Sequence, residues 1–155
     1  MKKNYLIIPS ITILTALFGG WATSGGLSGW YSSLRLPSWT PPSTTIAAVW
    51  IMLYVLTTIS ALIIFNKKTE RKKRKIIIMF FFIVNAILNV GWSLLFFNLH
   101  LLNVAIYEAA ILGLSILLIA WLEWRISHAA SLFLVPYAVW VTFATYLTYI
   151  VSQLN

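Results

Sequence analysis

Long apolar runs make up most of the chain, and polar residues gather in short breaks between them. Five runs are continuous enough to cross a bilayer core of about 30 Å, which takes roughly 20 residues of helix. They extend over Asn4 to Ala22, Thr44 to Phe65, Ile76 to Asn98, Asn103 to Leu122 and Ala129 to Val151. Each run is apolar on both parities, whereas the strands of a membrane barrel alternate over about 10 residues. The pattern predicts an all-α integral membrane protein, a five-transmembrane-helix bundle forming a single domain over residues 1–155. The breaks differ from one another. The first, Thr23 to Ser43, is rich in Gly, Ser, Trp and Pro, and the second, Asn66 to Lys75, reads NKKTERKKRK. The third and fourth, Leu99 to Leu102 and Glu123 to His128, are short.

Composition narrows the chemistry. Hydrophobic residues are 61% of the chain and charged residues 9%, against about 25% charged in a soluble domain. There is no cysteine, hence no disulfide, thiolate metal site or cysteine nucleophile. His100 and His128 fall in the third and fourth breaks, on opposite membrane faces, and cannot share a metal ion. A haem held by His100 alone is the one metal reading left. No Gly-rich phosphate loop, Ser–His–acid set or carboxylate pair is present for acid–base work. Glu70 and Glu123 read as solvated partners of neighbouring bases. The residues therefore predict neither a metal site nor a cofactor. Glu108 lies inside the fourth run, where a carboxylate is costly and marks function by default. It is also only about 8 Å from the end of that run by the helical rise, within reach of headgroups or a neighbouring helix, and the two readings balance.

Charge then orients the bundle. Ten of the eleven Lys and Arg residues lie at the N-terminus, in the second break or in the fourth, while Arg35 stands alone on the other side. Basic residues favour the cytoplasmic side. The expectation is a multi-pass protein of the cell (plasma) membrane with its N-terminus cytoplasmic and its C-terminus and first loop outside. Lys2-Lys3 ahead of an apolar run also resembles a signal peptide with a small-residue site near Ala22–Ser24, although the run is long enough to span. The basic break beside anionic headgroups needs no nucleic-acid partner to explain it.

Helical periodicity gathers some of the eight Trp and seven Tyr with polar groups. Asn85, Asn89 and Trp92 share one face of the third helix, Ile46, Trp50 and Tyr54 one face of the second, and Trp140, Ala144 and Leu147 one face of the fifth. By helical rise, Trp50, Asn89, Trp140 and Ala144 lie about 9 to 16 Å below the outer surface. Aromatic, amide and small residues at one depth are what a flat apolar ligand with polar edges requires. Ordinary helix packing with Asn as interhelical glue is the competing reading. Above them, Trp30 to Pro42 combines prolines, which restrict the backbone, with three large aromatics, and Gly25, Gly26 and Gly29 precede it as hinges. That is the build of a lid. On the fourth helix Ala105, Ala109 and Gly113 form a small-residue stripe, a candidate dimer face with internal packing as the alternative.

These residues resemble the TspO/translocator protein family, the tryptophan-rich sensory proteins also called peripheral benzodiazepine receptors. The likeness rests on Trp30, Tyr31, Leu34, Pro37, Ser38, Trp39, Pro41 and Pro42, then Val49, Trp50, Leu53 and Tyr54. It continues through Leu88, Asn89, Trp92, Phe96 and Phe97 to Pro136, Tyr137, Trp140, Phe143, Ala144, Thr145 and Leu147, in the family's order. The resemblance implies a bacterial member: a five-helix bundle, usually a homodimer, whose cavity is capped by the first loop. It also implies porphyrins such as protoporphyrin IX, sterols in some members, and synthetic isoquinoline-carboxamide or benzodiazepine-type ligands. The sequence departs from the family at Leu36, where a basic residue is usual, and at Thr148, where Asn is usual. Residues 150–155 hold no Lys or Arg, leaving the sterol motif incomplete and porphyrin the implied ligand.

The combined expectation is a receptor-type protein whose ligand contacts come from Tyr31, Trp39, Ile46, Trp50, Tyr54, Asn89, Trp92, Trp140, Ala144 and Leu147. Trp50 and Trp140 would stack on the ligand or donate indole N–H groups, Asn89 would bond a carbonyl or carboxylate, and Ala144 would leave clearance. One alternative is an enzyme of light- and oxygen-dependent porphyrin degradation, with Trp50 and Trp140 as electron donors in the catalytic role. Another is a porphyrin or sterol transporter, although five helices without an inverted repeat lack the usual alternating-access features.

Overall fold

The computed structural model describes residues 3–69 and 71–155, all helical or irregular, with no strand among them. Lys2 and Glu70 lie outside the described residues. Helix α1 runs Asn4–Gly26, α2 Ser43–Asn66, α3 Lys72–Ser93 and α4 Leu102–Trp124. A short α5, His128–Phe133, and α6, Val135–Leu154, together make the fifth span. The five spans are long and apolar enough to cross a membrane, and helices satisfy every backbone group internally, as lipid demands. This is a multi-pass membrane protein.

Local chemistry sets the joints. Pro136 has no backbone N–H to give and sits in the first turn of α6, so the fifth span breaks at Leu134 instead of running straight. At the other end of the molecule, α1 and α3 each finish in a π-helical turn, Leu27–Tyr31 and Leu94–Asn98, and the two turns lie side by side. Such turns widen a helix by one residue and are frequent at functional sites.

The helices form a ring in the order α1, α2, α5 with α6, α4, α3 and back to α1. Its outside is apolar: Leu6, Ile87, Leu114 and Val139 all point outward. Its inside is the more polar surface, with Ser60, Asn85, Asn89, Ser93, Ser115 and Thr148 buried. This inversion follows from the solvent. Acyl chains are as apolar as Leu, so burial of apolar area does not drive helix association, and close contact plus hydrogen bonding must.

Two expectations change here. Ala105 and Ala109 are 0% and 2% exposed, buried by the chain's own helices, and a Cβ added to Gly113 would meet Val141 Cγ1 at 3.4 Å. Gly113 thus seats α4 against α6 while Ala105 packs with Phe96 and Phe97, so the stripe turns toward the chain's own elements. Nor is Glu123 a solvated loop residue: α4 continues through it to Trp124, and the side chain is fully buried, with the Ser60 hydroxyl 2.6 Å from Oε2. The same hydroxyl lies 2.9 Å from the Ala130 carbonyl, so one small residue of α2 joins α4 and α5.

Candidate functional site

The ring encloses a cavity of about 400 Å³ in the half of the bundle below the first loop. That volume falls within the few hundred to about 1,000 Å³ usual for small-molecule sites. Helix α2 supplies Ile46, Trp50 and Tyr54, α3 supplies Asn89 and Trp92, α6 supplies Trp140, Ala144 and Leu147, and Tyr31 closes the end. Nine of the ten residues expected from sequence thus line one space. No lining residue carries a charge.

Trp39 is the exception. A turn closed by Thr40 N–H donating to the Pro37 carbonyl at 3.0 Å carries it over the rim. There its ring lies parallel to Tyr146, centroids 5.8 Å apart, and edge-on to Phe143, leaving it 43% exposed. It covers a wall residue from outside and does not line the hollow.

The wall that sequence reasoning missed belongs to α1. Ala16, Gly19, Gly20 and Thr23 line the cavity, and their spacing of three, four and seven places them on one helix face. The stripe is legible in the sequence once it is sought. Its small side chains leave the space that the aromatics opposite do not fill.

Polar groups in the wall are largely committed to each other. The Tyr54 hydroxyl donates to Asn89 Oδ1 at 2.5 Å, Asn89 Nδ2 donates to the Tyr137 hydroxyl at 2.9 Å, and Tyr137 donates to Asn85 Oδ1 at 3.2 Å. Asn85 Nδ2 then donates to Ser115 Oγ at 2.8 Å, and Ser115 to the Leu112 carbonyl at 2.7 Å. The chain runs one way through α2, α3, α6 and α4. It uses the Asn89 oxygen, so Asn89 can offer a ligand only its second N–H. By contrast, the indole Nε1 groups of Trp92 and Trp140 are buried without a partner. Both indoles stand in the wall with their nitrogens covered, so they are the polar groups there that a turn of the ring would offer to an acceptor. Glu108, whose carboxylate oxygens are also buried and unpartnered, lies against Gly91 of α3 and does not line the cavity.

The lid is more fixed than its glycines suggest. Gly25 and Gly26 are the last residues of α1. A Cβ on Gly26 would collide with the Phe97 carbonyl oxygen, so this glycine permits close contact between the two helix ends and is not a hinge. Trp30 stacks on His100 with centroids 4.2 Å apart, and Tyr31 packs against Phe96 and Phe97. Burial pushes the Tyr31 phenol above its ordinary pKa, which keeps it neutral.

The TspO/MBR family profile matches residues 7–154. The chain belongs to the TspO/MBR family. It is 33% identical to the tryptophan-rich protein TspO of Chlorobaculum tepidum, covering 100% of this chain and 99% of that one. The protein CrtK of Rhodobacter capsulatus is 32% identical over 94% of each chain. The pig (Sus scrofa) translocator protein is 27% identical over 100% of this chain and 94% of its own.

Proposed function

We propose that this TspO/MBR protein is a receptor-type binder of a planar apolar molecule with acceptor groups on its edge, a porphyrin such as protoporphyrin IX. The observation that carries the reading is the uncharged, aromatic-walled cavity, with Trp92 and Trp140 in its wall holding covered indole N–H groups that a turn of the ring would offer to an acceptor. A macrocycle would lie flat beside Ala144, between Trp50 and Trp140, with its ring or edge acceptors toward the indoles. Its carboxylates would stay at the lid end, which carries Arg35. With the basic end in the cytoplasm, that end faces outward. A homodimer would pair outward helix faces, since Ala105 and Ala109 are buried within the chain.

Titration of the purified protein with protoporphyrin IX, followed by tryptophan quenching and competed with an isoquinoline carboxamide, tests the reading. Ala144→Phe fills the space beside Trp140, and overpacking of about 1–3 kcal/mol corresponds to an affinity loss of roughly fivefold to 150-fold. Unchanged affinity in a folded variant would refute the placement.

A further inference from the structure

At the opposite end of the bundle, far from the cavity, an open polar pocket is lined by Arg71, Trp121, Trp124, Arg125 and His128. We infer that it seats the phosphate group of an anionic phospholipid. The inference does not depend on the ligand of the cavity.

The pocket is built by contacts between helix ends. Arg71 immediately precedes α3 and Arg125 immediately follows α4, an Arg71 Nη1–H donates to the Arg125 carbonyl, and both residues line the pocket. The His128 ring lies on Trp124 with centroids 4.1 Å apart. Among the described residues no carboxylate forms an ion pair with either arginine, and Glu123 is turned inward to Ser60. Neighbouring lysines are occupied elsewhere: Lys67 Nζ donates to the Ile126 carbonyl at 2.7 Å and Lys75 Nζ to the Lys67 carbonyl at 2.5 Å.

Phosphate chemistry suits this set. Guanidinium groups match phosphate oxygens two at a time, which a lysine ammonium does not. The source is indicated by the flanks. Trp121 and Trp124, three residues apart on α4, are 58% and 47% exposed, and indoles at a span's end sit at headgroup level. A lipid headgroup would meet the arginines while its acyl chains run down the outer face of α4 beside Trp121. A free phosphate would make no use of the indoles. Diffuse attraction to an anionic leaflet needs no pocket at all, and the exposed Lys72 and Lys73 provide it equally.

The full chain, reconstituted in nanodiscs of zwitterionic lipid or of equal parts zwitterionic and anionic lipid, separates these outcomes. Retained anionic lipid is counted by native mass spectrometry, and melting temperature is recorded alongside. Arg125→Gln, which leaves the backbone carbonyl in place, is expected to reduce retained anionic lipid about tenfold, the scale of one lost charge-assisted hydrogen bond. Arg125→Lys should restore it only in part. Lys72→Gln combined with Lys73→Gln should leave retention near that of the unaltered protein. Equal losses in the arginine and lysine variants would overturn the seat in favour of diffuse attraction. Stabilisation by inorganic phosphate matching that by anionic lipid would overturn the lipid assignment.

Discussion

Asn155 holds Arg35 by both sides of its peptide backbone. Its Oδ1 accepts the Arg35 N–H at 2.9 Å, and its Nδ2 donates to the Arg35 carbonyl at 3.1 Å and to the Val151 carbonyl at 2.8 Å. One carboxamide thus joins the first loop to the end of α6, two elements 120 residues apart in sequence.

This pairing makes Asn155 a latch on the lid. Each hydrogen bond contributes about 0.5–1.5 kcal/mol before solvent competition at an exposed site. Asn155→Ala is expected to raise ligand dissociation severalfold while leaving melting temperature nearly unchanged. Stopped-flow recovery of tryptophan fluorescence from a bound porphyrin measures it, and an unaltered rate would show that the lid is held by its aromatics alone.

The one-way chain from Tyr54 to Leu112 predicts unequal costs along its length. Asn89→Leu strands the Tyr54 hydroxyl at about 1–3 kcal/mol for the unsatisfied group, and also removes the donor to Tyr137, which keeps only its bond to Asn85. Tyr54→Phe removes only the terminal donor and should cost less. Thermal melts in one detergent should rank Asn89→Leu well below Tyr54→Phe, and the opposite order would contradict the chain.

At the basic end, Ser60→Ala leaves the fully buried Glu123 without its hydroxyl partner. The single substitution should lower stability by about 1–3 kcal/mol. Adding Glu123→Leu should recover part of the loss, since an apolar replacement of both partners approaches neutrality. A double-mutant cycle reads the coupling directly, and additive effects would mean that the contact contributes nothing.

Among the glycines, only Gly26 is expected to resist a methyl group. Gly26→Ala forces the end of α1 away from Phe97, whereas a Cβ on Gly29 meets nothing within 4 Å. Melting temperature should fall for Gly26→Ala and stay level or rise for Gly29→Ala. Equal tolerance would restore the hinge reading.

Much of the architecture was legible because a bilayer imposes a simple rule: runs of about 20 apolar residues must be helices. The structure places helix ends up to about four residues beyond the apolar runs, since capping turns and the π-helical ends are chosen by neighbouring helices. Nine of the ten candidate contacts line one hollow because period 3.6 tells which residues share a face. Trp39 stands over the rim of that hollow, in a loop that has no period to read. The small stripes show the same limit from the other side. Ala105, Ala109 and Gly113 on α4 and Ala16, Gly19, Gly20 and Thr23 on α1 look alike in sequence, yet Ala105 and Gly113 are pressed against neighbouring elements while the α1 residues, with Ala109, wall an open space.

The amino-acid order alone determined the number of membrane-crossing helices, their apolar surfaces and the set of side chains on each face, because hydropathy and helical period are properties of one segment at a time. Only the tertiary structure decided which faces meet. It turned Glu123 inward, committed the Asn89 oxygen to Tyr54, left two indole N–H groups without partners and brought Asn155 to Arg35. Those outcomes depend on distances between segments remote in the chain, and in a solvent as apolar as the helices themselves, close packing and hydrogen bonding set those distances.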